Sequence, residues 1–215
     1  PNGNDQWAGF VGDYTNSPSV TLSSSVTLAG MQYADTSFAS AYYLYVRQTG
    51  NSTITWDGGL AGMARISNTN NGNANLEIVQ GVTNVIGRNG LGKDGATTVR
   101  LGTVAGSGDI LVSQGTVELF GSNPGYTGTI VATNGAGIQF RGVSTFKGGD
   151  TNNPTIVYMN SQAWMRDYGS GTALNESIVL RGMNEGGSFY MYASKEGHYS
   201  GVVNLETNGV IGGGP

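Results

Sequence analysis

Cysteine is absent from the 215 residues, so no disulfide staples the fold and no thiolate holds a metal. That absence also fits a chain that must stay unfolded while crossing a membrane. Histidine occurs once, as His198, and any Ser-His-Asp hydrolase would have to run through it. Charge is scarce: Asp, Glu, Lys and Arg make up 11%, against roughly 25% in an ordinary globular domain. The ten Lys and Arg residues are scattered, under a net charge of −4. Nucleic-acid binding needs a concentrated basic surface instead. No apolar run approaches the ~20 residues of a membrane-spanning helix. Helix signals are nearly missing too. The best segment, 35–43, has Ala34, Ala39 and Ala41 in its favour but is weakened by Thr36, Ser37 and Ser40. The chain begins at Pro1 without Met or a signal peptide, and reads as a processed product or a fragment.

What is present is glycine, at 37 residues, with apolar residues at 38%. There is no Gly-X-Y period, which excludes collagen. Short β-forming runs alternate with the glycines: Val20-Thr21-Leu22, Val26-Thr27-Leu28, Val117-Glu118-Leu119-Phe120. Such a mixture predicts many short strands joined by tight turns. Asn-Gly, whose two residues both tolerate positive φ, recurs as Asn2-Gly3, Asn71-Gly72, Asn89-Gly90, Asn134-Gly135 and Asn208-Gly209. The spans between the later pairs are too long for simple hairpins throughout and better suited to the corners of a solenoid.

An internal repeat points the same way. Residues 110–140 and 187–211 each carry a glycine, an alternating strand and a Ser-containing turn. A Tyr, a hydroxyl residue and a Gly follow (Tyr126-Thr127-Gly128, Tyr199-Ser200-Gly201), then a second strand and Asn-Gly. The copies are offset by about 72 to 74 residues, which equals about three coils of roughly 24 residues in a solenoid. The expected fold is all-β: a single right-handed parallel β-helix over 1–215, of roughly nine coils, with 1–35 as lead-in or capping coils. Val117, Leu119, Ile130, Phe189, Met191 and Val203 are expected inward, and Glu118, Thr129 and Tyr190 outward.

On these residues the chain resembles the autotransporter-associated β-strand repeat of bacterial surface proteins. The segment from Leu119 to Ile130 is similar to it, as is Tyr199-Ser200-Gly201. Gly90-Leu91-Gly92-Lys93-Asp94-Gly95 looks like the Gly-Leu-x-Lys-x-Gly segment that often precedes the repeat, and 20–34 is similar to the family's lead-in coils. The resemblance implies a right-handed β-helix, export to the cell surface and a structural or adhesive role. The family's membrane-embedded C-terminal barrel does not follow Gly212-Gly213-Gly214-Pro215. Cleavage, or another route to the surface, is the expected explanation.

Several constellations bear on chemistry. Gly87-Arg88-Asn89-Gly90-Leu91-Gly92-Lys93 matches the first seven positions of a phosphate-binding loop, after an expected strand at 82–86. Asp94 stands where the magnesium-binding hydroxyl belongs, and Gly95 with Thr97-Thr98-Val99 opposes the helix that the chemistry needs. It is read as a coil turn, as is His198 beside Lys195-Glu196-Gly197. A sugar-cleaving β-helix places carboxylates together on one face. Here the fourteen acidic residues are dispersed, and only Asp94 and Glu118, one mean coil apart in the sequence, could be stacked by the winding. Asp150-Thr151-Asn152-Asn153 and Gly106-Ser107-Gly108-Asp109 faintly resemble calcium loops, but lack the distal bidentate Glu. The aromatic clusters, Tyr42, Tyr43 and Tyr45 with Phe189, Tyr190 and Tyr192, read first as core and lateral packing.

No catalytic, cofactor-binding or metal residues are assigned. The expectation is a secreted, non-enzymatic structural protein of a bacterial cell surface. It would self-assemble as a homo-oligomer or filament through the ends or lateral faces of the helix, without nucleic acid or a membrane span. The alternatives are an adhesin-like passenger binding glycans or host surfaces and, behind it, a polysaccharide lyase or hydrolase.

Overall fold

A computed structural model describes residues 6–12, 17–35, 43–48, 50–68, 75–79, 81–121, 123–141, 151–167, 173–181, 188–193, 198–206 and 209–213. Its strands wind into nine successive coils. The first holds β1 (Trp7–Gly12), β2 (Ser19–Leu22) and β3 (Val26–Leu28), and the second β4 (Gly30–Asp35), β5 (Tyr43–Gln48) and β6 (Thr53–Trp56). A short 3-10 turn, Gly59–Ala61, leads to β7 (Ala64–Asn68), β8 (Asn75–Ile78) and β9 (Thr83–Ile86). The fourth coil is β10 (Leu91–Asp94), β11 (Thr98–Leu101) and β12 (Val104–Gly106); the fifth is β13 (Ile110–Val112) and β14 (Thr116–Phe120). Then come β15 (Ile130–Ala132) and β16 (Gly137–Arg141), and in the seventh coil β17 (Thr155–Val157), β18 (Gln162–Asp167) and β19 (Ala173–Leu174). The last two coils are β20 (Ile178–Leu180), β21 (Ser188–Ala193) and β22 (His198–Tyr199), then β23 (Val203–Leu205) and β24 (Val210–Gly213).

Each coil stacks its strands in parallel on those of the coil before. The first strand of every coil joins a nine-stranded sheet I, β1-β4-β7-β10-β13-β15-β17-β20-β23. The second strands form an equally long sheet II, β2-β5-β8-β11-β14-β16-β18-β21-β24. A third side is shorter: β3, β6, β9 and β12 pair in the first four coils, and β19 with β22 further on. The chain is therefore a parallel β-helix, about 43 Å long at ~4.8 Å per coil.

Alternation decides which residues fill the shaft. In sheet II, Leu44 and Val46, Leu76 and Ile78, Val99 and Leu101, Val117 and Leu119, and Ile138 and Phe140 are all buried, and their strands stack in register. Each of these short strands buries about half its side chains. Alone it has no independent stability, and the stack forms cooperatively because every coil covers its neighbour's apolar face. Val117 stacks on Ile138, Ile138 on Ala163 and Ala163 on Phe189. The offset between the repeat copies thus spans three coils. Ile130 is buried as expected and Val203 is partly buried; the side chains of Phe189, Tyr190 and Met191 lie outside the described residues.

Coil length is not constant. Gly30 stacks on Arg65 across a long coil, whereas Leu91 stacks on Ile110 across one little more than half as long. Corners absorb the variation. At Asn134-Gly135 both residues take positive φ (56° and 80°), and Ala136 N–H closes the turn onto the Thr133 carbonyl at 3.0 Å, as the dipeptide predicts. Of the weak helix candidate at 35–43, residues 36–42 lie outside the described residues, and both flanks are strand ends.

Candidate functional site

The densest array of functional groups covers the outward face of sheet II. Glu77, Arg100, Glu118 and Gln139 stack in consecutive coils. Arg100 Nη1 donates to Glu77 Oε2 at 3.0 Å, and its Nε donates to Glu118 Oε2. Glu118 Oε1 also accepts from Gln139 Nε2 at 2.8 Å and Arg141 Nη1 at 2.9 Å. Rings pack into the same layer. The Arg100 guanidinium lies 4.4 Å from the Tyr43 ring centre and 5.9 Å from Phe120, with Arg141 5.0 Å from Phe120 and Arg47 4.7 Å from Tyr45. Tyr43 and Tyr45 stack with centres 5.8 Å apart.

This layer is self-contained. Glu118 points outward yet is only 3% exposed, because arginines and a glutamine close over it. Burial of Arg100 works against its charge, but Glu77 and Glu118 outweigh that and raise its pKa. Charge-assisted, ring-sandwiched arginines are the stronger kind of surface interaction. Removing one partner of a buried ion pair is costly because the other charge is stranded. Glu118→Ala is expected to lose roughly 2–4 kcal/mol, and Glu118→Gln about 1 kcal/mol, since the amide keeps one acceptor. Urea unfolding of the two variants measures the difference.

Asp94 and Glu118 do not form a carboxylate pair. Asp94 stands on sheet I, stacked between Ser67 and the residue that follows Val112, while Glu118 stands on sheet II. The reason is the short local coil: Thr98 stacks directly on Thr116, so the longer step from Asp94 to Glu118 overshoots to another face. Asp94 accepts from Ser113 Oγ at 2.5 Å and from Arg65 Nη1 at 2.7 Å. Burial opposes its charge, but these two groups prevail and hold its carboxyl below the ordinary range. That is the opposite of what a general acid needs.

The segment resembling a phosphate-binding loop ends inside β10, which holds its Leu91, Gly92 and Lys93, and no helix follows. Lys93 sits in the inward file of sheet I between Ile66 and Val112 and is 1% exposed. Its ammonium donates to the carbonyls of Gly95 (2.6 Å), Asp94 (3.1 Å) and Gln114 (3.3 Å). It plugs a corner rather than facing a ligand. Sequence reasoning overlooked this, although Leu91 and Lys93 are in phase on one strand and share a face. Asp109 caps backbone, accepting from Thr129 N–H at 2.9 Å. His198, expected in a turn with Lys195-Glu196-Gly197, instead opens β22 beside Ala173, while 195–197 lie outside the described residues. Asp150 and Tyr42 lie outside the described residues. No group of three or more His, Cys, Asp or Glu side chains is placed to hold a metal ion among the described residues, and no helix there is long and apolar enough to cross a membrane.

The Tyr-x-Gly steps of the two repeat copies perform one job. The Tyr126 hydroxyl shares its proton between the Gly108 carbonyl of the preceding coil (3.0 Å) and the Thr129 carbonyl three residues on (3.1 Å). Tyr199 does the same with Glu176 (2.5 Å) and Val202 (3.1 Å). Gly128 and Gly201 make the clasp possible: a Cβ on either would collide with the same lower carbonyl and with the tyrosine hydroxyl. Asn123 serves the turn ahead of the first clasp, accepting from Val104 N–H at 2.5 Å and donating to the Phe120 and Gly121 carbonyls. The repeat's signature residues are thus inter-coil fasteners.

Comparison of the chain with protein-family models, with curated proteins and with solved structures gives no match.

Proposed function

We propose that this protein is non-enzymatic building material of a bacterial cell surface, an extracellular β-helical rod that assembles with copies of itself. The observation that supports this best is the outward face of sheet II. Among the described side chains from Tyr43 to Arg141, the carboxylates of Glu77 and Glu118 are spent on guanidinium groups, and the rings of Tyr43 and Phe120 on the same guanidinium groups. A hydrolase or lyase needs carboxyl groups or bases free to exchange protons with substrate. A glycan adhesin needs open aromatic faces, and arginines already cover those of Tyr43, Tyr45 and Phe120. A rod whose groups fasten coil to coil serves as structure. The resemblance to the autotransporter-associated repeat supports the location outside the cell.

Contact routes exist at the ends as well as the sides. Leu205 continues the file of Leu180, and Ile211 the file that runs through Ala163 and Phe189. Leu180 and Ala163 are fully buried, whereas Leu205 and Ile211 are 49% and 50% exposed. A further coil, from whichever chain supplies it, would cover them and pair with β23 and β24. Sedimentation and electron microscopy over rising protein concentration test the reading. Growing assemblies are expected; single rods about 43 Å long at every concentration, by the ~4.8 Å coil rise, would sink it.

A further inference from the structure

The outward face of sheet I differs in kind from that of sheet II. Arg65, Gly92, Leu111, Val131, Ile156 and Val179 stack directly on one another in coils three to eight. Four aliphatic side chains therefore form a straight stripe along the rod where alternation calls for polar groups. Leu111, Val131 and Ile156 are partly exposed, and Val179 is 8% exposed. Two strand positions over, on the same face, a polar file runs beside the stripe. It carries Asp94 in coil four, Ser113 in coil five, Thr133 in coil six, Tyr158 in coil seven and Arg181 in coil eight. Asp94 and Arg181 are thus equally far, two coils each, from coil six. Both reach the surface, with side chains 37% exposed in Asp94 and 39% in Arg181.

Resting on the self-assembly reading, we infer that this stripe is the lateral interface between two copies of the chain, packed face to face and antiparallel about a two-fold axis at coil six. The axis sets Val131 against its own copy and Leu111 against Ile156. Val179 then meets the Met63 thioether, which lies over the buried Gly92 beside the Arg65 side chain. Asp94, paired with Arg65 on its own rod, faces Arg181 of the other, itself paired with Glu206, so two ion pairs of opposite order meet, twice. Parallel pairing of the same faces needs a two-fold axis along the rods, which carries the polar file to the other side of the stripe. Asp94 would then face Gly90 and Arg181 would face Ser177, and neither meets an opposite charge. Charge order along the file therefore selects the antiparallel arrangement. Five coils at ~4.8 Å and strands ~10 Å wide cover only a few hundred Å² per copy, below the ~800 Å² of a standard stable interface. The pairing is accordingly weak and suits chains crowded on a surface.

The absence of cysteine makes single-site labelling clean. Nitroxide labels at Thr133→Cys and, separately, at Ser67→Cys in coil three report distances between copies at high protein concentration. With sheets packing ~10 Å apart and coils rising ~4.8 Å, the antiparallel dimer gives a short distance at 133, about 15 Å or less. At 67, three coils from the axis, it gives about 30 Å. Ile156→Asp is expected to abolish both signals while leaving the circular dichroism melt nearly in place. Two equally short distances would mean parallel pairing, and a common distance of about 43 Å, the length of nine coils, would mean end-to-end stacking. Either overturns the inference while leaving self-assembly standing. No dipolar signal at any concentration would overturn both.

Discussion

Gly128→Ala is expected to destabilise the rod by about 3 kcal/mol or more, and Gly125→Ala, three residues earlier in the same turn, by less than about 0.5 kcal/mol. The two glycines differ only in what surrounds them. A Cβ on Gly125 meets nothing closer than the Ala105 methyl at 3.8 Å, an ordinary contact. A Cβ on Gly128 meets the Gly108 carbonyl oxygen and the Tyr126 hydroxyl inside van der Waals distance. Neither group can retreat. Gly108 is itself packed against the Gly87 carbonyl of the coil below, and the Tyr126 ring is fully buried. Relief must come from lifting one coil off the next, which breaks the hydroxyl's bonds to Gly108 and Thr129 along with adjacent ladder bonds. A chain of this size loses ~2–4 °C of melting temperature per kcal/mol, so a shift of about 6–12 °C separates the variant from its Gly125 control. Tyr126→Phe isolates the hydroxyl and is expected to cost about 1–2 kcal/mol. Equal melting temperatures for Gly128→Ala and Gly125→Ala would refute the clasp.

The same clasp shows what a sequence discloses. Alternation at Val117-Glu118-Leu119 revealed a strand and its inward face, because a period of two is set by covalent geometry. The spacing of the repeat copies disclosed three coils, because stacked coils must return to the same side. Coil length is another matter. Corners accommodate the short step from Leu91 to Ile110 and the long one from Gly30 to Arg65 without disturbing the sheets, so one mean period cannot say which residues meet. That is why Asp94 and Glu118 looked like neighbours and are not. The stripe from Leu111 through Val131 and Ile156 to Val179 was illegible for the same cause: its members are unevenly spaced along the chain, and only the register aligns them. Burial misleads in both directions. Glu118 faces outward and is covered, while Lys93 carries a charge and faces in; each is decided by partners supplied from other coils.

Lys93 gives the last expected result: stability of the rod rises between about pH 8 and pH 10, and falls above it. Burial disfavours the Lys93 ammonium and brings its pKa from 10.5 down to about 8, against a smaller opposing pull from Asp94. Between those values the unfolded chain holds a proton that the folded chain has released, so stability grows as pH climbs through the window. At about 1.36 kcal/mol per pKa unit, the full gain is roughly 3 kcal/mol. Buried tyrosines work in the opposite sense. Burial lifts Tyr33 from 10.0 to about 12, and Tyr126 and Tyr199 are pushed up still further, again chiefly by burial. Above pH 10 the unfolded chain forms tyrosinates that the folded chain resists, so stability is lost there. A maximum near pH 10 follows, well on the alkaline side of the pH 5–8 range usual for proteins. Lys93→Met keeps the volume of the inward file between Ile66 and Val112 and removes the titrating group. Its stability is expected to stay flat from pH 8 to 10 while retaining the alkaline fall. Urea midpoints of both proteins at half-unit pH intervals decide the matter. A rise that survives in Lys93→Met would show that the proton is released elsewhere and that the buried ammonium is not the strained element of the core.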